Sequence, residues 1–181
     1  YGQEPETVAE RETRLAMEVS SPQFLSGFKC SPVPEGEERL RTMILGDLAC
    51  ELLFGESSPL FQRLYSQGLI NASFGGSFGE SKEPRAVAAE LQKEADRLAR
   101  EGVDEDFFQQ TLRASFGSSI RGLNSFENIA VSLTEGQFGG FDPFRFPQVF
   151  QSVTREDVLA FLRENVRPER SVLSEIVPKE A

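Results

Sequence analysis

The sequence contains no histidine, and this absence excludes more kinds of site than any other feature of its composition. Without histidine, the chain cannot form a Ser-His-Asp or Cys-His catalytic arrangement. It also cannot form a zinc site of the H-E-x-x-H type or its inverse. Its two cysteines, Cys30 and Cys50, are too few for a cysteine-only zinc site. We therefore expect no catalytic residue, no metal ligand and no cofactor in this chain, which argues against an independent hydrolase with the common catalytic residues.

Basic residues and long apolar runs are also scarce. The 19 Lys and Arg are outnumbered by 29 Asp and Glu, which gives a formal net charge of −10. A protein that binds the phosphates of nucleic acid needs clustered Lys and Arg, so we expect no nucleic-acid partner. No segment approaches the roughly 18 apolar residues of a membrane span, so we expect no membrane partner.

The cysteine content and the first residues bear on the origin of the chain. Two cysteines among 181 residues, a length that buries a core without disulfides, indicate reduced thiols and a cytoplasmic location. We expect both cysteines to be small buried hydrophobic residues. The chain begins Tyr1-Gly2-Gln3 rather than with methionine, so we expect a fragment of a longer protein.

Alternating apolar residues predict a few strands. The pattern occurs at 11–19, 24–30 and 171–177. Residues 69–75 alternate in the same way before a run of glycines, and we interpret them as a further strand next to a turn. Because only a short Ser-Ser-Pro segment separates the first two strands, we expect these two to pair.

Apolar residues with helical spacing predict most of the remaining structure. The clearest case is 37–54, where Leu40, Ile44, Leu48 and Leu52 recur every four residues. Further helices are predicted at 58–68, 84–100 and 104–121, after Ser125, and after the capping box Thr154-x-x-Asp157. The order of elements indicates a single α+β domain, with a mostly antiparallel sheet and helices packed on one face.

Two groups of side chains are candidates for binding. Five of the sixteen phenylalanines lie between residues 138 and 150, in a predicted loop. Core packing is their more frequent role, and an apolar wall for a peptide or partner domain is the alternative. Arg63, Tyr65 and Asn71 flank the end of the 58–68 helix, where Arg63 and Tyr65 are suited to a peptide backbone or a carboxylate. From spacing alone, a solvated helix face is the more frequent role of such residues.

Four segments resemble one known family in the same order. The segment SSPLFQRLYSQGLINASF (57–74) resembles the signature of the second half of pitrilysin/insulinase-type zinc peptidases. The other three segments are FLSGFKC (24–30), RGLNSFENIA (121–130) and VTREDVLAFLRENVRPERSVLSEIVP (153–178). The resemblance extends from about residue 8 to 178, and it is strongest to the bacterial cytosolic insulinase-like subgroup.

The resemblance implies a function that depends on a partner. Such enzymes consist of two homologous α+β halves, of which the first binds zinc through H-x-x-E-H. The second half has no metal and closes a chamber around a peptide substrate. Residues 1–181 would then form one non-catalytic half-domain, either a fragment or a separate subunit, opposite a zinc-bearing half. The alternative is a proteolytically inactive peptide-binding or scaffold domain of the same fold, as in the core subunits of respiratory complexes.

The chain departs from the family pattern at two points. The second half of such enzymes carries an Arg and a Tyr that hold the substrate, and alignment places Tyr65 and Asn71 at these positions, with Arg63 nearby. We therefore expect Arg63, Tyr65 and Asn71 to bind substrate by other means. The family also has two strands joined by a hairpin near residues 70–83, and this stretch is too short for both.

Overall fold

The computed structural model describes residues 5, 7–72, 74, 75, 79–81 and 83–179. The strands are β1 (Glu12–Met17), β2 (Gln23–Phe28), β3 (Gly79–Glu80) and β4 (Ser171–Pro178). The helices are α1 (Glu37–Phe54), α2 (Pro59–Ser66), α3 (Pro84–Glu101), α4 (Glu105–Gly122), α5 (Phe126–Gly139), α6 (Phe146–Ser152) and α7 (Arg155–Asn165). Short 3-10 turns at Pro143–Arg145 and Pro168–Arg170 precede α6 and β4. Within these described ranges, no helix has the length and apolar content of a membrane span.

The four strands form one sheet in the order β1-β4-β2-β3. The pairs β2–β4 and β2–β3 are antiparallel and β1–β4 is parallel, which confirms the predicted mostly antiparallel sheet. The predicted pairing of the first two strands is wrong, because β4 lies between them. Apolar residues on both faces of β4, such as Leu173 and Ile176, suit this inner position, whereas every residue of β1 is exposed, as at a sheet edge.

The predicted strand at 69–75 is also wrong for its described residues. Gly68 adopts φ +68°, and the Leu69 N–H donates to the Leu64 carbonyl, so the chain is still closing α2 at this point. The Phe74 N–H then donates to the Asn71 carbonyl in a turn. Ile70 and Phe74 are buried because they fill the core, not because they alternate along a strand. Residue 73 lies outside the described residues.

The helices cover one face of the sheet, as predicted. The register places Phe24 opposite Glu175 and Ser26 opposite Leu173, so these residues share the helix-covered face. Helices α1, α3 and α7 pack on one another, α3 also contacts β2 and β4, and α4 packs on α1. The most deeply buried apolar side chains of this core are Leu48, Leu52, Leu60, Leu64, Val87, Phe108, Val158 and Leu162.

The opposite face of the sheet remains open. Leu15 of β1 pairs with Ile176 of β4, and Leu25 of β2 points to the same side because it pairs with Ser174. Leu15 and Leu25 are both exposed. The domain therefore has one face closed by its own helices and one apolar face that they leave accessible.

The phenylalanine-rich segment is mostly helical, so the predicted loop is wrong beyond the turn that follows α5. Gly140 ends α5 in the left-handed conformation, and Asp142 accepts a hydrogen bond from the Phe144 N–H to start the 3-10 turn before α6. Three of the five phenylalanines are buried: Phe141, Phe146 and Phe150. Phe138 and Phe144 are exposed, so core packing accounts for only part of the group.

The predicted capping box before α7 is confirmed. The Asp157 N–H donates to the Thr154 hydroxyl, and the Thr154 N–H donates to the Asp157 carboxylate at 2.8 Å. The Thr154 hydroxyl donates to the same carboxylate and, with the neighbouring Arg41, lowers the pKa of Asp157. These contacts fix the start of α7 against α1.

Candidate functional site

Helix α2 positions the candidate residues through a well-defined start. The Ser58 hydroxyl accepts a hydrogen bond from the Phe61 N–H at 3.1 Å, and Pro59 occupies the first helical turn. Leu60 and Leu64 are fully buried. Burial of this side of the helix leaves Tyr65 on the outside, one turn after Phe61.

Tyr65 is the exposed end of a row of aromatic rings. Its side chain is 53% exposed, and its ring stacks on Phe61 with centroids 6.0 Å apart and planes at 8°. The Phe61 ring lies 6.2 Å from that of Phe74, which lies 6.2 Å from that of Phe24 in β2. We call Tyr65, Phe61, Phe74 and Phe24 the aromatic row. It connects an accessible tyrosine to a buried residue of the sheet.

Arg63 points away from Tyr65. Residues two apart on a helix are separated by about 200° and do not face each other. The Arg63 guanidinium lies 3.3 Å from Glu90 and 3.6 Å from Glu94, both on α3. Arg97 binds the same buried Glu94 at 2.6 Å. Arg63 therefore holds α2 against α3, and its charge is already paired.

Asn71 is exposed in the turn that follows α2. Its carbonyl accepts a hydrogen bond of 3.2 Å from the Phe74 N–H. Of the three predicted residues, the structure thus places Tyr65 and Asn71 on the surface on either side of the Gly68 turn. Arg63 is directed toward α3 instead. A substrate-binding role for the three residues stays a prediction.

Strand β2 lies at the other end of the aromatic row, next to the short edge strand β3. Strand β3 pairs only with Gln23 and Phe24 of β2. Within the described residues, no strand pairs with the outer edge of β2 from Leu25 to Phe28. The antiparallel register of β3 would continue onto residues 76–78, which lie outside the described residues. The candidate site therefore combines an exposed tyrosine, the aromatic row and the β3 side of the sheet.

The sequence reasoning missed the residues that support Tyr65 and Arg63. Phe61 lies four residues before Tyr65, a spacing that indicates a shared helix face. Glu90, Glu94 and Arg97 have the spacing of ion pairs along one side of a helix. Both patterns are visible in the sequence. The contact of Phe61 with Phe74 is not, because it depends on the turn after α2.

The described residues do not form a metal site. They contain no group of three His, Cys, Asp or Glu side chains able to hold a metal ion. Both cysteines are free and exposed, so the prediction that they are buried is wrong. Zinc therefore does not fit the residues present in the described part of this chain.

The cysteine sulfurs nevertheless lie where a negative charge is unfavourable. Desolvation raises the pKa of Cys50 to about 11, with smaller contributions from nearby Asp47, Cys30 and Glu51. It also raises the pKa of Cys30, against the opposing effect of Arg170. Because the thiolate is the reactive form, both thiols are poor nucleophiles near neutral pH.

We expect Cys50 to react slowly with disulfide reagents. In a Cys30→Ser variant at pH 8, its rate should be about tenfold below that of free cysteine, since the lower thiolate fraction outweighs the higher nucleophilicity. The rate should rise with pH toward the raised pKa, and unfolding in urea should remove the difference. Stopped-flow measurement with an aromatic disulfide tests this. A rate equal to that of free cysteine would contradict it.

Comparison with known proteins shows which proteins this chain resembles. No family model matches the chain. The chain is 29% identical to YmfH, an uncharacterized zinc protease of Bacillus subtilis, over 97% of its own length and 44% of YmfH. Its fold matches an M16-like peptidase from Alicyclobacillus acidocaldarius with a TM-score of 0.90 and 23% identity, over 99% of this chain and 46% of that one. It also matches the inactive peptidase domain of a zinc protease from Bordetella parapertussis, with a TM-score of 0.71 and 15% identity, over 92% and 96% of the two chains.

These similarities confirm the resemblance predicted from the sequence. The chain is similar over nearly its whole length to about half of a zinc protease, and it has the fold of M16-like peptidase halves and of inactive peptidase domains. It spans less than half the length of the curated relative that it matches.

Proposed function

We propose that this chain is the non-catalytic half of an insulinase-like zinc metallopeptidase and closes a peptide-binding chamber opposite a zinc-bearing half. One observation carries the proposal: the similarity to a zinc protease covers 97% of this chain but 44% of the relative. The absence of histidine supports it, because a half without histidine leaves zinc binding to its partner. The metal and bond cleavage would belong to the partner half, and this chain would contribute substrate binding.

The surface near Tyr65 supports a peptide as the substrate class. An extended peptide that adds to the sheet on its β3 side would form main-chain hydrogen bonds, which require no particular side chain. Tyr65 would then offer a ring face and a hydroxyl to the peptide, while Arg63 stays paired with α3. This mode of binding does not need the Arg and Tyr pair that the family pattern includes.

Further parts of the proposal concern partner and location. The partner is a homologous zinc-bearing half, on the same polypeptide or as a separate subunit. The net charge of −10 supports the absence of a nucleic-acid partner, because a surface that binds phosphates needs clustered cations. A membrane has no role in this proposal, and we place the protein in the cytoplasm.

The test uses the complete two-half protein with a fluorogenic peptide. Tyr65→Ala should raise KM by about tenfold, because an aromatic side chain at a peptide site contributes roughly 1–2 kcal/mol of binding. Tyr65→Phe, which keeps the stacked ring, should retain most of the affinity. Arg63→Ala should lower stability more than affinity. An unchanged KM for Tyr65→Ala would contradict the role of Tyr65.

Addition to the strand edge has a separate test that leaves the protein unchanged. N-methylation of alternate peptide amides removes main-chain donors and should weaken binding when the methylated amides face the sheet. Methylation of the intervening amides is the matched control. Equal binding of both peptide series would exclude pairing with the edge.

A second candidate function is a proteolytically inactive peptide-binding or scaffold domain. The match to a domain described as the inactive peptidase domain of a zinc protease favours it, because a domain of this fold there carries no peptidase activity. The flanking sequence and neighbouring reading frame separate the two candidates. An H-x-x-E-H motif there, with one zinc per complete protein, supports the peptidase, and its absence supports the scaffold.

A further inference from the structure

Helix α5 carries four exposed large apolar side chains, more than any other described helix. Phe126 at its start is 91% exposed and Phe138 near its end is 88% exposed. Val131 and Leu133 between them are about half exposed, and two residues at the end of α4 are 44% and 38% exposed. We call this set the α5 surface, and it comprises Ile120, Leu123, Phe126, Val131, Leu133 and Phe138.

The α5 surface forms two stripes on different sides of the helix. Phe126 and Leu133 are seven residues apart and share one side, and Val131 and Phe138 share another. The buried residues of α5 are only Gly136 and Gly139. A helix with apolar residues on several sides is normally enclosed by protein, and a helix of this length is marginal without packing. Large exposed apolar side chains grouped on one helix in this way indicate an interaction surface.

We infer that the α5 surface is where the homologous partner half docks, an inference that rests on the proposed function. This chain matches 44% of the zinc protease YmfH, so more than half of that protein lies outside the match and is available to cover such a surface. Charge argues against a second copy of this chain. Glu127 and Glu135 lie beside the stripe of Val131 and Phe138, α5 has no Lys or Arg, and the chain carries −10 overall. The fitting partner offers an apolar groove edged by Lys or Arg.

Hydrogen exchange of residues 126–139 tests the inference. We expect the amides of α5 to exchange roughly tenfold or more slowly in the complete two-half protein than in the 181-residue chain alone, because docking suppresses local opening. Equal exchange in the two proteins would overturn the inference. So would a dimer of the isolated chain in light scattering with slow α5 exchange, because the occupant would then be a second copy.

Variants of the complete protein locate the contact. Phe126→Asp and Phe138→Asp should each restore fast exchange in α5 and leave α3 unchanged. Met43→Asp, at an exposed apolar residue of α1, is the matched control and should change neither helix. Protection of α5 that survives both phenylalanine variants would overturn the inference. Failure of zinc binding or peptide hydrolysis would count against the proposed function alone, since α5 protection is measured independently of both.

Discussion

Replacement of Phe74 by alanine is expected to lower the free energy of unfolding by about 3–5 kcal/mol, the range for removal of a buried phenylalanine side chain. Phe74 is 7% exposed, and its ring centroid lies 6.2 Å from each of the Phe24, Phe54 and Phe61 rings. No single neighbouring ring can fill the space that the substitution leaves. Loss of the ring contacts adds to the cost of the cavity.

Urea unfolding of the wild type and variant measures this change, with Tyr65→Ala as the control. Tyr65 belongs to the same aromatic row but is 53% exposed, so its replacement should cost less than about 1 kcal/mol. Phe74→Ala therefore reports on stability, whereas Tyr65→Ala reports on substrate binding. If Phe74→Ala lowers the free energy of unfolding as little as Tyr65→Ala does, the aromatic row does not support the site.

The helices were predictable because their cause is local. The four-residue spacing of Leu40, Ile44, Leu48 and Leu52 gave α1 the bounds that the structure has. The capping box at Thr154 likewise placed the start of α7 correctly. In both cases, neighbouring residues alone determine the backbone conformation and the buried side.

The sheet was less predictable because strand pairing depends on distant segments. The short connection between β1 and β2 favoured a hairpin, but β4, from the other end of the chain, lies between them. The alternation of Ile70 and Phe74 arises from a turn that buries both residues, and a period of two cannot distinguish this from a strand.

The candidate site was predictable in part. The place of Tyr65 near a helix end makes it a candidate, and the structure exposes it. Sequence proximity groups Arg63 with it, although a helix directs residues two apart to nearly opposite sides. The ion pairs of Arg63 with Glu90 and Glu94 depend on how α2 packs on α3, which the sequence pattern does not determine.

Gly136→Ala is expected to lower the free energy of unfolding by about 1–2 kcal/mol, because the cost of overpacking exceeds the gain in helix propensity. A Cβ atom at Gly136 would lie 2.7 Å from the Phe141 carbonyl oxygen and 2.7 Å from the Pro143 ring. Neither the backbone nor the proline ring can move away easily. Close approach of these groups is what holds the end of α5 to the domain, so the variant should also change the angle at which α5 leaves it.

Gly117→Ala in α4 is the matched control, with an expected change of the opposite sign. The nearest atom to a Cβ at Gly117 is the flexible Arg121 guanidinium at 3.5 Å. Alanine there should therefore raise stability by about 0.5–1 kcal/mol through helix propensity alone. Thermal and urea unfolding of both variants give the comparison. If both substitutions stabilise the protein, α5 is not held by close packing at Gly136, and its position in the isolated chain is set by other contacts.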